Sequence, residues 1–363
     1  LNKSTKVVLV SYPDNFRLDE GKSLVESSGT STIDSYQIVK IFTQKYLNHS
    51  QYGLGSGKAE EIKEFVKGSK VEKIIVDEHL TSKQIHNLEK LTGAQVIDRE
   101  RLILDIFYSR ATTTEAKLQI QLAEIKYQMP RVRENAKLTS GSTERAGKGG
   151  MGEYSVDVKF RDLKRQMSFI KQKLQDAKQK RNLYHEQRLK TGIPVVSLLG
   201  YTSSGKTTLF NLLTHEHKEI SRSLFTTLST TTRSLKINNT GLVVLLTDTV
   251  GFISRLPTYM IDAFKSTLEE SLAADLILLL IDCSERIQDI RIKYSSCWDI
   301  LDELRVDKSK VFVILSKCDN NVEQKKIDEI AADLQILSPI VISSKTTYGI
   351  DKLKTMIASH IEK

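Results

Sequence analysis

The sequence predicts an α/β fold class in three parts. These are an N-terminal parallel α/β domain, an antiparallel helical hairpin arm, and a C-terminal domain with a mostly parallel sheet. Three observations carry this. Apolar runs alternate with helical stretches over residues 1–110 and again from residue 192 onward. Between them a helical period runs with no strand signal. The third part opens with "GYTSSGKT", Gly200 to Thr207, a glycine-rich loop set between a strand pattern and a helix pattern. At 363 residues the chain suits two or three domains. We place their boundaries at 1–112, 113–191 and 192–363.

In the first part, "VVLVS" (7–11), "YQIVKIF" (36–42), "KIIVD" (73–77) and "QVID" (95–98) read as strands. Helical stretches such as "KAEEIKEFVK" and "SKQIHNLEKL" separate them, which implies parallel pairing. "QYGLGSGKAEEI" (51–62) contains Gly-Ser-Gly-Lys but lacks an earlier glycine at phosphate-loop spacing, and has Ala59 where a hydroxyl is needed. It reads as a glycine-entered helix N-terminus, with a second phosphate site as the alternative.

From 115 to 190 the pattern is helical. Leu118, Leu122, Ile125 and Met129 are spaced 4-3-4, and Leu163, Met167, Ile170, Leu174 and Ala177 continue the stripe until Arg181 breaks it and Tyr184 resumes it. Such a seam pairs two helices. The joining segment 138–155, "LTSGSTERAGKGGMGEYS", is too polar and glycine-rich to pack a core. Residues 159–190 hold eleven Lys or Arg against three acids, so nearly all of the +9 net charge lies along one helix. A solvated helix face and a nucleic-acid surface both fit this ridge.

In the third part, Gly200 to Thr207 satisfies G-x-x-x-x-G-K-[ST] after the strand "VVSLL" and before "TTLFNLLT". Successive N–H groups of Gly200, Tyr201, Thr202, Ser203, Ser204 and Gly205 can turn around an anion at a helix N-terminus, with Thr208 in the first helical turn. Lys206 supplies an ammonium to β and γ phosphates, and Thr207 a hydroxyl for Mg²⁺. "DTVG", Asp248 to Gly251, ends the strand "LVVLLT". Its acid suits Mg²⁺, directly or through water, and the Gly251 N–H suits a γ-phosphate. Between the two lies the threonine-rich "LFTTLSTTTRSL" (224–235), from which Thr227, with Thr226 close behind, is expected to complete the metal shell in the triphosphate state.

"LSKCD", Leu315 to Asp319, approximates Asn-Lys-x-Asp. The Asp319 carboxylate can accept both the N1–H and the N2 amino hydrogens of guanine, a donor pair that adenine lacks. Lys317 would lay its methylenes over the base. Ser316 stands where asparagine is usual, and the lost amide tie to the loop is expected to cost about 1 kcal/mol of affinity. "SSK", Ser343, Ser344 and Lys345, fits the last base-contacting loop. GTP and GDP are thus the expected ligands and Mg²⁺ the expected cofactor.

Composition bounds the rest. Hydrophobic residues are 39% and charged residues 27%, ordinary for a globular chain. No apolar run approaches the roughly 18 residues of a membrane span. "LILLLI" (276–281) reads as a buried strand, and the first residues lack a secretory-signal layout. Cys283, Cys297 and Cys318 are odd in number without metal spacing, which fits reduced thiols and a cytoplasmic location.

The chain resembles the HflX family of ribosome-associated GTPases. The resemblance is carried by "ERLILDIFYSRATTTEAKLQIQLAEIKYQMPR" (100–131), "LLGYTSSGKTTLFNLLT" (198–214), "LFTTLSTTTR" (224–233) and "LLTDTVGFISRLPTYMIDAFKSTLEE" (245–270). It implies an N-terminal α/β domain, a helical arm and a P-loop GTPase domain. It also implies binding to the large ribosomal subunit and rRNA through residues 113–191, with the loop 138–155 reaching toward the peptidyl-transferase region, and the splitting of stalled or idle ribosomes. That loop departs from the family's usual glycine-rich reading. Ser203 replaces a usual asparagine that is linked to potassium-assisted hydrolysis in related GTPases.

Phe252 follows Gly251 where well-known switch GTPases carry a water-orienting glutamine. A phenyl ring moves no proton, so intrinsic hydrolysis is expected to be slow and to wait on a partner. The rival readings are a P-loop ATPase that remodels RNA and accepts ATP, and an RNA-binding module that uses nucleotide only for stability. Peripheral membrane contact by the basic helix is compatible with its charge, although the apolar seam is narrow.

Overall fold

A computed structural model of the chain describes residues 4–28, 35–140, 151–216, 224–225, 230–237, 241–262, 272–320 and 322–362. The chain forms two compact units, Leu1–Asp176 and Ala177–Lys363.

In the first unit, β1 (Thr5–Ser11), β2 (Tyr36–Thr43), β3 (Lys73–Val76) and β4 (Gln95–Asp98) form a sheet of order β2-β1-β3-β4. All of its pairings are parallel, as the strand–helix alternation predicts. The crossovers are α1 (Asn15–Ser27), α2 (Ser56–Gly68) and α3 (Ser82–Thr92). Gly55 caps α2, so Gly-Ser-Gly-Lys enters a helix here. Thr81 and Gln84 form a capping box at α3, and Gly93 ends that helix at φ 75°. The aliphatic faces of the strands meet α2 and α3 in a core that includes Val8, Val10, Ile62, Ile74, Val76 and Leu88.

Asp98 caps α4 (Arg99–Arg110) by accepting from the Arg101 N–H at 2.9 Å. The same carboxylate receives Tyr127 Oη at 3.1 Å and Arg131 Nη2 at 2.7 Å, both from α5 (Thr114–Ser140). Burial raises the Asp98 pKa, with Arg131 opposing that shift. α5 is therefore fastened to the sheet layer by polar anchors, which its apolar period alone did not reveal. Its opposite stripe meets α6 (Met151–Thr191): Leu122 and Ile125 pack with Leu163 and Ile170, flanked by Leu118, Met129, Met167 and Leu174. These are the seam positions the 4-3-4 spacing picks out. The centre of the glycine-rich segment, 141–150, lies outside the described residues.

In the second unit, six strands take the order β10-β9-β8-β5-β7-β6. They are β5 (Val195–Gly200), β6 (Thr231–Lys236), β7 (Val243–Asp248), β8 (Leu276–Asp282), β9 (Val311–Ser316) and β10 (Ile340–Val341). β6 runs antiparallel to β7 at one edge, and the remaining pairings are parallel. The near-continuous apolar "LILLLID" of β8 is buried along its whole length, as a strand covered on both faces requires. Among its described helices are α7 (Lys206–Thr214), α8 (Ile287–Glu303), α9 (Gln324–Asp333) and α10 (Ile350–Ile361). No described helix is long and apolar enough to cross a membrane.

Candidate nucleotide site

The carboxyl ends of β5, β7, β8 and β9 lie side by side, where parallel sheets collect their ligands. Register pairs Leu198 with Asp248 and Asp282 with Ser316. Strand ends thus bring together motifs that are far apart in sequence.

The loop after β5 begins at Gly200, whose φ of 145° and close packing on the Leu280 carbonyl exclude a side chain. Ser203 holds φ 62°, a left-handed conformation that asparagine adopts more readily. Gly205 precedes α7 at φ 95°. Lys206 is 6% exposed and donates from Nζ to Gly200 O at 3.0 Å and Tyr201 O at 2.7 Å. Burial pushes its ammonium down to about 8, with the charge of Asp248 opposing the shift. Thr208 sits half-buried in the first turn of α7.

Thr207 Oγ1 lies 3.1 Å from Asp248 Oδ2, bonded as donor to the carboxylate. Two oxygens at that separation fit adjacent ligands of a Mg²⁺ ion with bonds of about 2.1 Å. An all-oxygen pair, one anionic, is also the donor chemistry this ion prefers. Thr226 and Thr227 lie outside the described residues.

Gly251 packs against the loop: a Cβ there would fall 2.9 Å from Thr202 Cα and 3.1 Å from Lys206 Nζ. Phe252 is 3% exposed and exchanges backbone hydrogen bonds with the loop. Its ring is a packed group.

At the end of β9, Ser316 differs from the sequence-based expectation. Its hydroxyl reaches Ser204 O at 2.8 Å and Ile281 O at 3.1 Å, so the tie to the loop is kept by a hydroxyl instead of an amide. Lys317, at φ 61°, pairs its ammonium with Asp282 Oδ2 at 2.7 Å, and its stem passes 3.9 Å from the Cβ position of Gly205. Asp319 accepts a 2.6 Å hydrogen bond from Ser343 Oγ, which itself accepts from the N–H groups of Lys345 and Thr346. Ser344 is half-buried and Lys345 exposed beside it. The sequence named Ser343 but not this bracing role. It passed over Asp282, although an acid closing a wholly apolar strand was a visible signal.

A G-x-x-x-x-G-K-T loop at one strand end, with a braced carboxylate two strands away, is the arrangement of a P-loop GTPase. Comparison with known proteins agrees part by part. Residues 16–108 match the family model "GTP-binding GTPase N-terminal", 110–188 "GTP-binding GTPase Middle Region", and 195–317 "50S ribosome-binding GTPase". GTPase HflX of Methanocaldococcus jannaschii is 40% identical over 90% of this chain and 80% of its own length. GTPase HflX of Caldanaerobacter subterraneus is 36% identical over 98% of this chain and 80% of its own. A crystal structure of a GTP-binding protein from Sulfolobus solfataricus in complex with GDP covers 99% of both chains at 26% identity, with a TM-score of 0.51. The chain belongs to the HflX family of GTPases, enzymes that bind and hydrolyse GTP.

Proposed function

We propose that this chain is a GTP-driven factor of the large ribosomal subunit that acts in splitting or rescuing ribosomes in the cytoplasm. On this reading it divides into an N-terminal domain (1–112), an arm (113–191) and a GTPase domain (192–363). The observation that carries the nucleotide half is the bracing of Asp319 by Ser343 beside a P-loop tied to Ser316. Gly200 to Thr208 cradle the phosphates, Lys206 neutralises the β and γ oxygens, and Asp319 accepts from the guanine edge. Lys317, Ser316 and Ser343 to Lys345 shape the base pocket. Thr207 and Asp248 would hold Mg²⁺, joined by Thr227, and the bound ion would neutralise charge on the transferring phosphoryl group.

The ribosomal half is supported by the arm. α6 presents Lys159, Arg161, Lys164, Arg165, Lys171 and Lys173 to solvent. Phe169, 60% exposed, lies under the Lys173 ammonium at 4.5 Å. Cations backed by an exposed aromatic suit an RNA backbone and its bases. Anionic lipid is the other surface such a helix would tolerate. Phe252 supplies no proton acceptor, so the chain waits for a partner to order the attacking water. Turnover of GTP measured with and without purified large subunits tests this: a rise of tenfold or more on adding subunits is expected, and equal rates would remove the model.

A further inference from the structure

The segment after Asp248 does more than end a strand. Tyr201 and Phe252 form a parallel β-bridge. In it the Phe252 N–H donates to Gly200 O at 3.1 Å, and the Thr202 N–H donates to Phe252 O at 2.8 Å. Two residues further, the Ser254 N–H donates to the phenolic oxygen of Tyr201 at 2.6 Å, in a buried setting. Tyr201 is 3% exposed, and the Lys293 ammonium of α8 sits 5.1 Å from its ring centroid. A cation thus sits against the ring while its phenolic oxygen holds the Ser254 N–H.

In this arrangement Gly251 lies against the loop: a Cβ on it would meet Thr202 Cα at 2.9 Å and come within 3.1 Å of Lys206 Nζ. A γ-phosphate must meet the Lys206 ammonium, and the Gly251 N–H is the donor that senses it. A diphosphate makes no such demand. The Thr202 N–H, engaged by Phe252 O, is also turned away from phosphate while the bridge stands.

We propose that Tyr201 is a positioning residue that latches the Gly251–Ser254 segment across the γ-phosphate position, so that the latched form favours GDP and GTP must open it. This rests on the guanine-nucleotide reading of the P-loop. A ligand shifts such an equilibrium only by its differential affinity for the two forms. Loosening the latch therefore tightens GTP relative to GDP.

The test uses the full chain and Tyr201→Phe, which keeps the ring and removes the accepting oxygen. Affinities for GDP and a nonhydrolysable GTP analogue are measured with Mg²⁺ by calorimetry. The analogue-to-GDP ratio of Kd is expected to fall about fivefold in the variant, the effect of one net hydrogen bond. Amide exchange across residues 251–255 should be slow with GDP in the unaltered chain, faster with the analogue, and faster in the GDP-bound variant. An unchanged ratio, or equal weakening of both ligands, overturns the latch and leaves the nucleotide site standing. Exchange in the unaltered chain that ignores the γ-phosphate overturns the latch as well. Failure of the unaltered chain to bind either guanine nucleotide overturns the site itself.

Discussion

At the scale of single residues, Lys206 carries a consequence for pH. Its ammonium is buried beside two carbonyl oxygens, and desolvation lowers its pKa to about 8 from an ordinary 10.5. The unfolded chain therefore binds more protons than the folded one between those values, and stability rises with pH across that window. Below about pH 8 the cost of the buried charge is present in full. Denaturant midpoints compared with Lys206→Met should show the unaltered chain gaining on the variant from pH 8 to 10.5; parallel curves would contradict the burial account. Ser316 teaches a different point. Read as a missing amide, it signalled a lost contact, yet a hydroxyl at the end of β9 reaches a carbonyl of that loop across 112 positions of sequence. Residue type alone did not reveal that, because strand spacing sets which short side chains can bridge.

At the scale of elements, α5 and α6 show how far a period can be read. The seam residues Leu122, Ile125, Leu163 and Ile170 are buried as their spacing requires. The fastening of α5 to the N-terminal layer through Tyr127 and Arg131 on Asp98 has no periodic signature. The exposed face of α6 makes its own prediction. Replacing Lys164, Lys171 and Lys173 together by alanine should weaken cosedimentation with large subunits. It should also flatten the dependence of log K on log salt by about 2 to 3, three phosphate contacts at 0.7 to 0.9 each. An unchanged slope would assign the ridge to solvation alone.

At the scale of the whole molecule, every described residue of the nucleotide site lies in the unit Ala177–Lys363. Binding stabilises the structure that binds, by about 2.7 kcal/mol at a hundredfold excess over Kd. Saturating GDP should therefore slow amide exchange and proteolysis in peptides from 192–363 while leaving those from 4–110 unchanged. Protection spread evenly over both would place part of the site in the first unit. The buried thiols Cys283 and Cys297, pushed up to about 12 by desolvation, stay protonated near neutrality, so alkylation should not report these changes.

The sequence by itself determined the two α/β units, the seam of the hairpin and the loop Gly200–Thr207. Each is local: burial repeats with the period of its element, and a phosphate loop needs its glycines, lysine and hydroxyl at fixed spacing. Tertiary structure decided what those pieces touch. The order β10-β9-β8-β5-β7-β6 brings Ser343 to Asp319, Ser316 to Ser204, and Ser254 to the Tyr201 hydroxyl. Strand order and register are set by how whole faces pack. No window of neighbouring residues encodes a hydrogen bond whose partner arrives from another strand.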